Sequence, residues 1–198
     1  MKELICLIAS IFCVWLNVGK VQAADVQPTS LEQRRQVAFV VIDNSGNVNE
    51  SIFKDWRQQV RQGYKWPYYE IVDDLTPAAV AEEEIRAEGK STSKLDLAVF
   101  KNIAEKAQVD VVALMIIRDM DVEMIHPLGF FRDDGPDRLC RVYANADMYV
   151  YKKDGDKMLK KILRHVKTTE EAIAEPPERV IKYAMRKLVN TMENRPQI

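Results

Sequence analysis

Cysteine is scarce in this chain of 198 residues, occurring only as Cys6, Cys13 and Cys140. The first two fall in an amino-terminal apolar run. Once that run is removed a single thiol remains, no intramolecular disulfide can form, and stability must come from a packed core. Histidine is scarcer still, with His126 and His165 alone, and neither stands at metal-ligand spacing from the cysteine. Glycine-rich phosphate loops of the GxGxxG and GxxxxGK kinds are missing, and no serine sits in a GxSxG context. Charge of one sign is also missing: 29 Lys and Arg stand against 30 Asp and Glu, which removes the basic footprint of a nucleic-acid binder. No internal repeat or low-complexity tract is present, and no motif requires a cofactor.

What is present begins with Leu4–Leu16, apolar except for Ser10 and followed by Val21, Gln22 and Ala23. This run has the length of a signal-peptide core and is shorter than the roughly 18 to 20 residues that span a bilayer. Residues 1–23 therefore read as a secretory signal cleaved after Ala23, with a retained anchor as the alternative. Cys13 follows the bulky Phe12, which does not suit lipid attachment. The expected organisation is a flexible lead-in over 24–35, containing Pro28, Ser30, Arg34 and Arg35, and then one α/β domain over 36–195. The mature chain is expected outside the cytoplasm, periplasmic or otherwise extracytoplasmic, without a transmembrane span.

The continuous apolar run Val37–Ile42 predicts a strand buried on both faces. Ile52, Phe53, Trp56 and Val60 fall on one helical stripe that Gly63 closes. Tyr68–Val72 predicts a short strand, and Thr76 with Pro77 predicts a helix start, the helix stopping near Gly89. Ser93 and Asp96 make an approximate capping box for a third helix reaching Ala107. Val109–Ile117 is a third strand, after which Met120, Val122 and Met124 alternate with Asp119, Asp121 and Glu123, as in a sheet with one wet face. Alternation returns after a loop. Cys140, Val142, Ala144, Ala146, Met148 and Val150 share one parity; Arg141, Tyr143, Asn145, Asp147, Tyr149 and Tyr151 share the other, which is expected to face water. Cys140 is expected in the core. A turn over Lys152–Asp156 leads to a last strand over 158–168, and Pro176 and Pro177 introduce a carboxy-terminal helix. The fold class expected is α/β: a mixed sheet whose first half is βαβααβ, followed by antiparallel hairpins and that helix.

An opening run like Val37–Ile42 soon after a signal, a helix, the strand Tyr68–Val72, a helix before Val109–Val112, then long hairpins and a carboxy-terminal helix together resemble the exported bacterial envelope α/β domain of the TolB amino-terminal domain and the CsgG group. The resemblance covers most of residues 36–194 and rests on pattern. It implies a non-enzymatic role in contacting or assembling other envelope proteins. No lipobox cysteine, propeller repeat or long membrane-inserting hairpin accompanies it, so pore formation, TolB-like activity and functional residues are not carried over.

Two constellations qualify as sites. In the loop 126–137, Leu128, Phe130, Phe131 and Arg132 interrupt a turn-rich segment; an exposed aromatic pair there would contact a partner protein or the periphery of a membrane, and a folded-back pair would cap the core. Asp43 follows the first strand and Asp73 and Asp74 the second, so parallel pairing would gather three carboxylates where α/β proteins hold ligands or divalent metals. That supports a second reading, a ligand- or metal-binding hydrolase-like domain; the plainer one is that these residues start turns and cap helices. The leading expectation remains a non-enzymatic envelope interaction module. Export itself is checked by amino-terminal sequencing of material recovered outside the cytoplasm: Ala24 is the expected first residue, and an intact Met1 overturns cleavage.

Overall fold

The computed structural model describes residues 34–89, 91–125 and 138–195. Five strands form one sheet in the order β2-β1-β3-β4-β5. They are β1 (Arg35–Asp43), β2 (Tyr69–Ile71), β3 (Val111–Ile125), β4 (Leu139–Lys152) and β5 (Lys157–Glu170). β1 runs parallel to β2 and β3, whereas β3, β4 and β5 are antiparallel neighbours. This is the mixed α/β sheet that the order of elements predicts. Four α-helices among the described residues cover it: α1 (Glu50–Gly63), α2 (Thr76–Glu88), α3 (Leu97–Lys106) and α4 (Pro177–Met192).

Both faces of β3 are buried from Val111 to Ile117. Val111, Ala113, Met115 and Ile117 meet Trp56 and Val60 of α1 and Ile181, Met185, Leu188 and Val189 of α4. Val112, Leu114 and Ile116 meet Ala81 of α2 and Val99, Phe100 and Ile103 of α3. Burial of that apolar surface, at roughly 25 cal/mol per Å², is the main force holding three layers together.

Local chemistry departs from the sequence expectation in instructive ways. Asp96 itself caps α3, accepting from the amides of Ala98 and Val99, while Ser93 lies in a 3₁₀ turn, Thr92–Lys94. Thr76 is the first residue of α2 and not its cap; its amide and hydroxyl both donate to Asp74, at 3.1 and 2.7 Å. A carboxylate outcompetes a hydroxyl as acceptor in each case. Arg34 and Arg35, assigned by sequence to the lead-in, are held by the fold: β1 starts at Arg35, whose amide donates to the Tyr68 carbonyl, and the Arg34 guanidinium lies 5.4 Å from the Trp66 ring centre.

The parity of β4 is as expected on one side: Cys140, Val142, Ala144, Ala146, Met148 and Val150 are all buried. The other side is wet only in part. Arg141, Tyr143 and Asn145 are half-buried, but Asp147, Tyr149 and Tyr151 are buried. The cause is α3, whose Phe100 ring packs 5.0 Å from Tyr149 and 6.5 Å from Tyr151. An alternating pattern reports side-chain parity and cannot report whether a distant helix lands on the second face.

α1 and α4 meet at Gly63, where an added Cβ would collide with Val189 Cγ1. Alanine improves helix propensity by about 1 kcal/mol, but here the methyl collides with a buried side chain, and overpacking costs about 1–3 kcal/mol. Gly63→Ala is therefore expected to be destabilised in urea unfolding. Combining it with Val189→Ala should cost less than the two single changes added together; simple additivity would show that the contact is not what glycine serves.

Candidate interaction surface

β1 is nine residues long and β3 fifteen, and their pairing ends at Asp43↔Ile117. The register with β4 shifts between Ile117 and Asp119, so Arg118 occupies a bulge. Beyond it β3 runs on to Ile125 with β4 as its only strand partner among the described residues. Among the described residues no strand pairs with the opposite edge there. Asn47 Nδ2 donates to the Met120 carbonyl at 2.5 Å, and the Val122 amide, turned outward, finds only the side chain of Asp121 at 2.8 Å.

Along this overhang Met120 is buried, while Val122 and Met124 are 42% and 38% exposed. They line an open groove of about 460 Å³ closed by the chain leading into α4, with Ala174, Pro176 and Pro177 opposite. Asp121, Glu171, Glu175 and Glu178 also line it, and among the described residues no Lys or Arg does. Chemically the groove offers apolar contact, unpaired strand backbone and negative charge.

On the far face, beside the bulge, Asp147 is fully buried. Arg164 of β5 donates to its Oδ1 at 2.8 Å; Arg118 Nε and the Thr92 hydroxyl donate to its Oδ2 at 2.7 and 2.8 Å. Arg118 also reaches the Thr92 hydroxyl at 2.7 Å. Burial pushes the Asp147 carboxyl up, but the hydrogen bonds from Arg164, Thr92 and Arg118 prevail and hold it below its ordinary value. With both oxygens engaged, Asp147 fixes where the overhang begins. Farther along the same face the Tyr143 hydroxyl donates to Glu123 at 3.0 Å and Asn145 Nδ2 to Asp119 at 3.3 Å, which leaves this side of the overhang polar.

The structure does not bring the three sequence-predicted carboxylates together. β2 pairs with the start of β1, Ile71 opposite Val37, so Asp73 and Asp74 leave the sheet level with Phe39, about 13 Å of strand short of Asp43. Asp43 accepts from Ser45 and from the Val48 amide, Asp73 pairs with Arg57, and Asp74 holds Thr76. Burial raises the Asp43 carboxyl, and the bonds from Ser45, Val48 and Gly46 more than offset it, leaving it lowered. Among the described residues no cluster of three His, Cys, Asp or Glu fits a metal. Leu128, Phe130, Phe131, Arg132 and His126 lie outside the described residues. Cys140 is a buried free thiol, and His165 lies opposite Ala144 on β5. Sequence reasoning missed Asp147; the available signal was a carboxylate immediately before the bulky run Met148–Tyr151, with Arg118 at the point where β3 turns from apolar run to alternation.

Asp147→Asn leaves two arginines around a neutral amide. Removing one partner of a buried pair costs about 3–5 kcal/mol, and the lower end is expected because Arg118 and Arg164 are 37% and 43% exposed. The folded carboxyl is depressed, so its contribution is fully present above the unfolded value of about 3.9 and fades as pH falls through the folded value. The gap in thermal midpoint between wild type and variant should accordingly be wide at neutral pH and close in strong acid. A gap independent of pH would show that the ion pair is not its source.

No family profile and no curated protein sequence matches the chain. The structure is similar to the hypothetical protein CT253 from Chlamydia trachomatis, with 11% identity over 81% of this chain and 96% of that one and a TM-score of 0.43. It is similar also to the lipoprotein GNA1162 from Neisseria meningitidis (13% identity, 81% and 99% covered, TM-score 0.36) and to a PelC dodecamer from Paraburkholderia phytofirmans (11% identity, 82% and 91% covered, TM-score 0.40). None of the three is named as TolB or CsgG. Likeness of this degree carries no statement about what the chain does.

Proposed function

We propose that this protein is an exported, non-enzymatic module of the cell envelope that binds an extended segment of another protein along the free edge of β3. The observation that carries the reading is the overhang Asp119–Ile125, a strand with one edge unpaired among the described residues, above an apolar groove. An added strand would take its affinity from main-chain hydrogen bonds and its specificity from alternate side chains, and the groove's four carboxylates favour a segment with Lys or Arg between apolar residues. Binding and not catalysis is supported by the engagement of the acidic candidates described above and by the burial of Cys140. No helix among the described residues is long and apolar enough to cross a membrane.

A photo-crosslinking residue placed at Met124 or Val122 in cells is expected to capture a distinct protein, and one at the exposed Glu82 of α2 is not. Glu175→Lys should reduce capture from Met124 about tenfold by opposing a basic segment, with little change in stability because the site is exposed. Equal capture from Glu82 and Met124, or capture indifferent to Glu175→Lys, overturns the reading.

A further inference from the structure

β5 carries the chemistry that the β3 groove favours. Between Lys157 and Glu170 it holds five Lys and Arg against one carboxylate, that of Glu170 itself. Basic and apolar side chains alternate through its middle. Lys160, Ile162, Arg164 and Val166 share one face of the strand, and Lys161, Leu163 and Lys167 share the other. Lysines along an edge strand are a common guard against stray pairing. That accounts for the cations and not for Ile162 and Val166, which are 43% and 57% exposed on either side of Arg164.

The groove beside Asp119–Ile125 has the complementary character. Val122 and Met124 are its exposed apolar residues, and Asp121, Glu171, Glu175 and Glu178 supply the negative charge. Lys160–Lys167 and the overhang are of nearly equal length. Taking that groove to be a strand-binding site, as proposed above, we infer that β5 of a second copy of this chain adds to the free edge of the β3 overhang and fills the groove until another envelope protein displaces it. Ile162 and Val166 would then cover Val122 and Met124, Lys160 would lie among the groove's carboxylates, and Lys167 would stand on the far face toward Asp121. β5 is already held in extended form by its pairing with β4 from Lys157 to Glu170, and Arg164 is fixed by Asp147, so docking it costs less ordering than docking a flexible segment. The two surfaces differ, and the contact is therefore heterologous, repeating from copy to copy into a ring or an open series. Self-association and partner binding need the same edge and exclude one another.

The test follows sedimentation of the full exported chain at rising concentration and low salt. Wild type should pass from monomer to dimer and larger species, and high salt should reverse this. Lys160→Glu/Lys167→Glu spoils β5, and Glu171→Lys/Glu175→Lys spoils the groove; all four side chains are exposed. Each double variant should raise the concentration of half-association about tenfold or more. Mixed together, they should associate again and stop at a dimer, because the intact groove of the first takes the intact β5 of the second and no matching pair of surfaces is left over. Should a reversal disturb folding, Lys160→Gln/Lys167→Gln is expected to shift association severalfold in the same direction. A wild type that stays monomeric, variants that associate as wild type does, or a mixture that fails to associate rules out the second copy as occupant. Capture of a distinct protein from Met124 is a separate readout: its absence beside intact self-association counts against the envelope partner and not against the second copy.

Discussion

The carboxylate of Asp147 ties together three stretches of chain that are far apart in sequence: the turn Thr92–Lys94, the bulge at Arg118 and the edge strand β5. Each has its own reason to wander. The turn is short, the bulge breaks a ladder, and β5 is paired on one side only among the described residues. A fully buried anion cannot be left unpaired without a cost of several kcal/mol, so the three donors are held where they are. The position of the bulge follows, and with it the point at which β3 leaves the three-layer core and becomes an overhang.

That change of environment within one strand separates the two ends of the molecule. From Val111 to Ile117, β3 is covered by helices on both sides and contributes only stability. From Asp119 onward it has lost β1 and the α2–α3 layer, and beyond the buried Met120 its apolar side chains Val122 and Met124 face a groove, not a core. At the opposite end, Gly63 lets α1 and α4 meet closely enough for their carboxy-terminal ends to form a shared cleft. Among the described residues the charged side chains lining the two concavities have opposite sign, carboxylates in the first and cations in the second. A near-zero net charge is therefore compatible with surfaces of different local charge.

β5 illustrates how an exposed edge stays available without being indiscriminate. Lys157, Lys160, Lys161, Arg164 and Lys167 stud the strand, and a second chain pairing along it would have to desolvate and crowd those cations. The edge of β3 is protected differently, by its shortness, by Asn47 on its first carbonyl and by Asp121 on an amide. The second arrangement is easier to displace, because it consists of single hydrogen bonds worth about 1 kcal/mol each.

Local pattern was enough to read the elements. The apolar run Val37–Ile42, the stripe through Trp56 and Val60, and the alternation from Cys140 to Val150 each state which side chains share a face, because strand and helix periods are properties of the backbone. Order of elements then made a mixed sheet the economical solution. What the sequence by itself could not determine is anything that depends on how far one strand slides along another or where a helix comes to rest. Asp73 and Asp74 miss Asp43 because β2 pairs with the start of β1 and not its end. Asp147 reads as a surface residue until α3 and its preceding turn cover it. The groove exists because residues 174–177 fold back beside a strand some fifty positions earlier. The sequence determined the elements and their faces; tertiary structure decided the sites, since each is made of side chains that meet only through long-range packing.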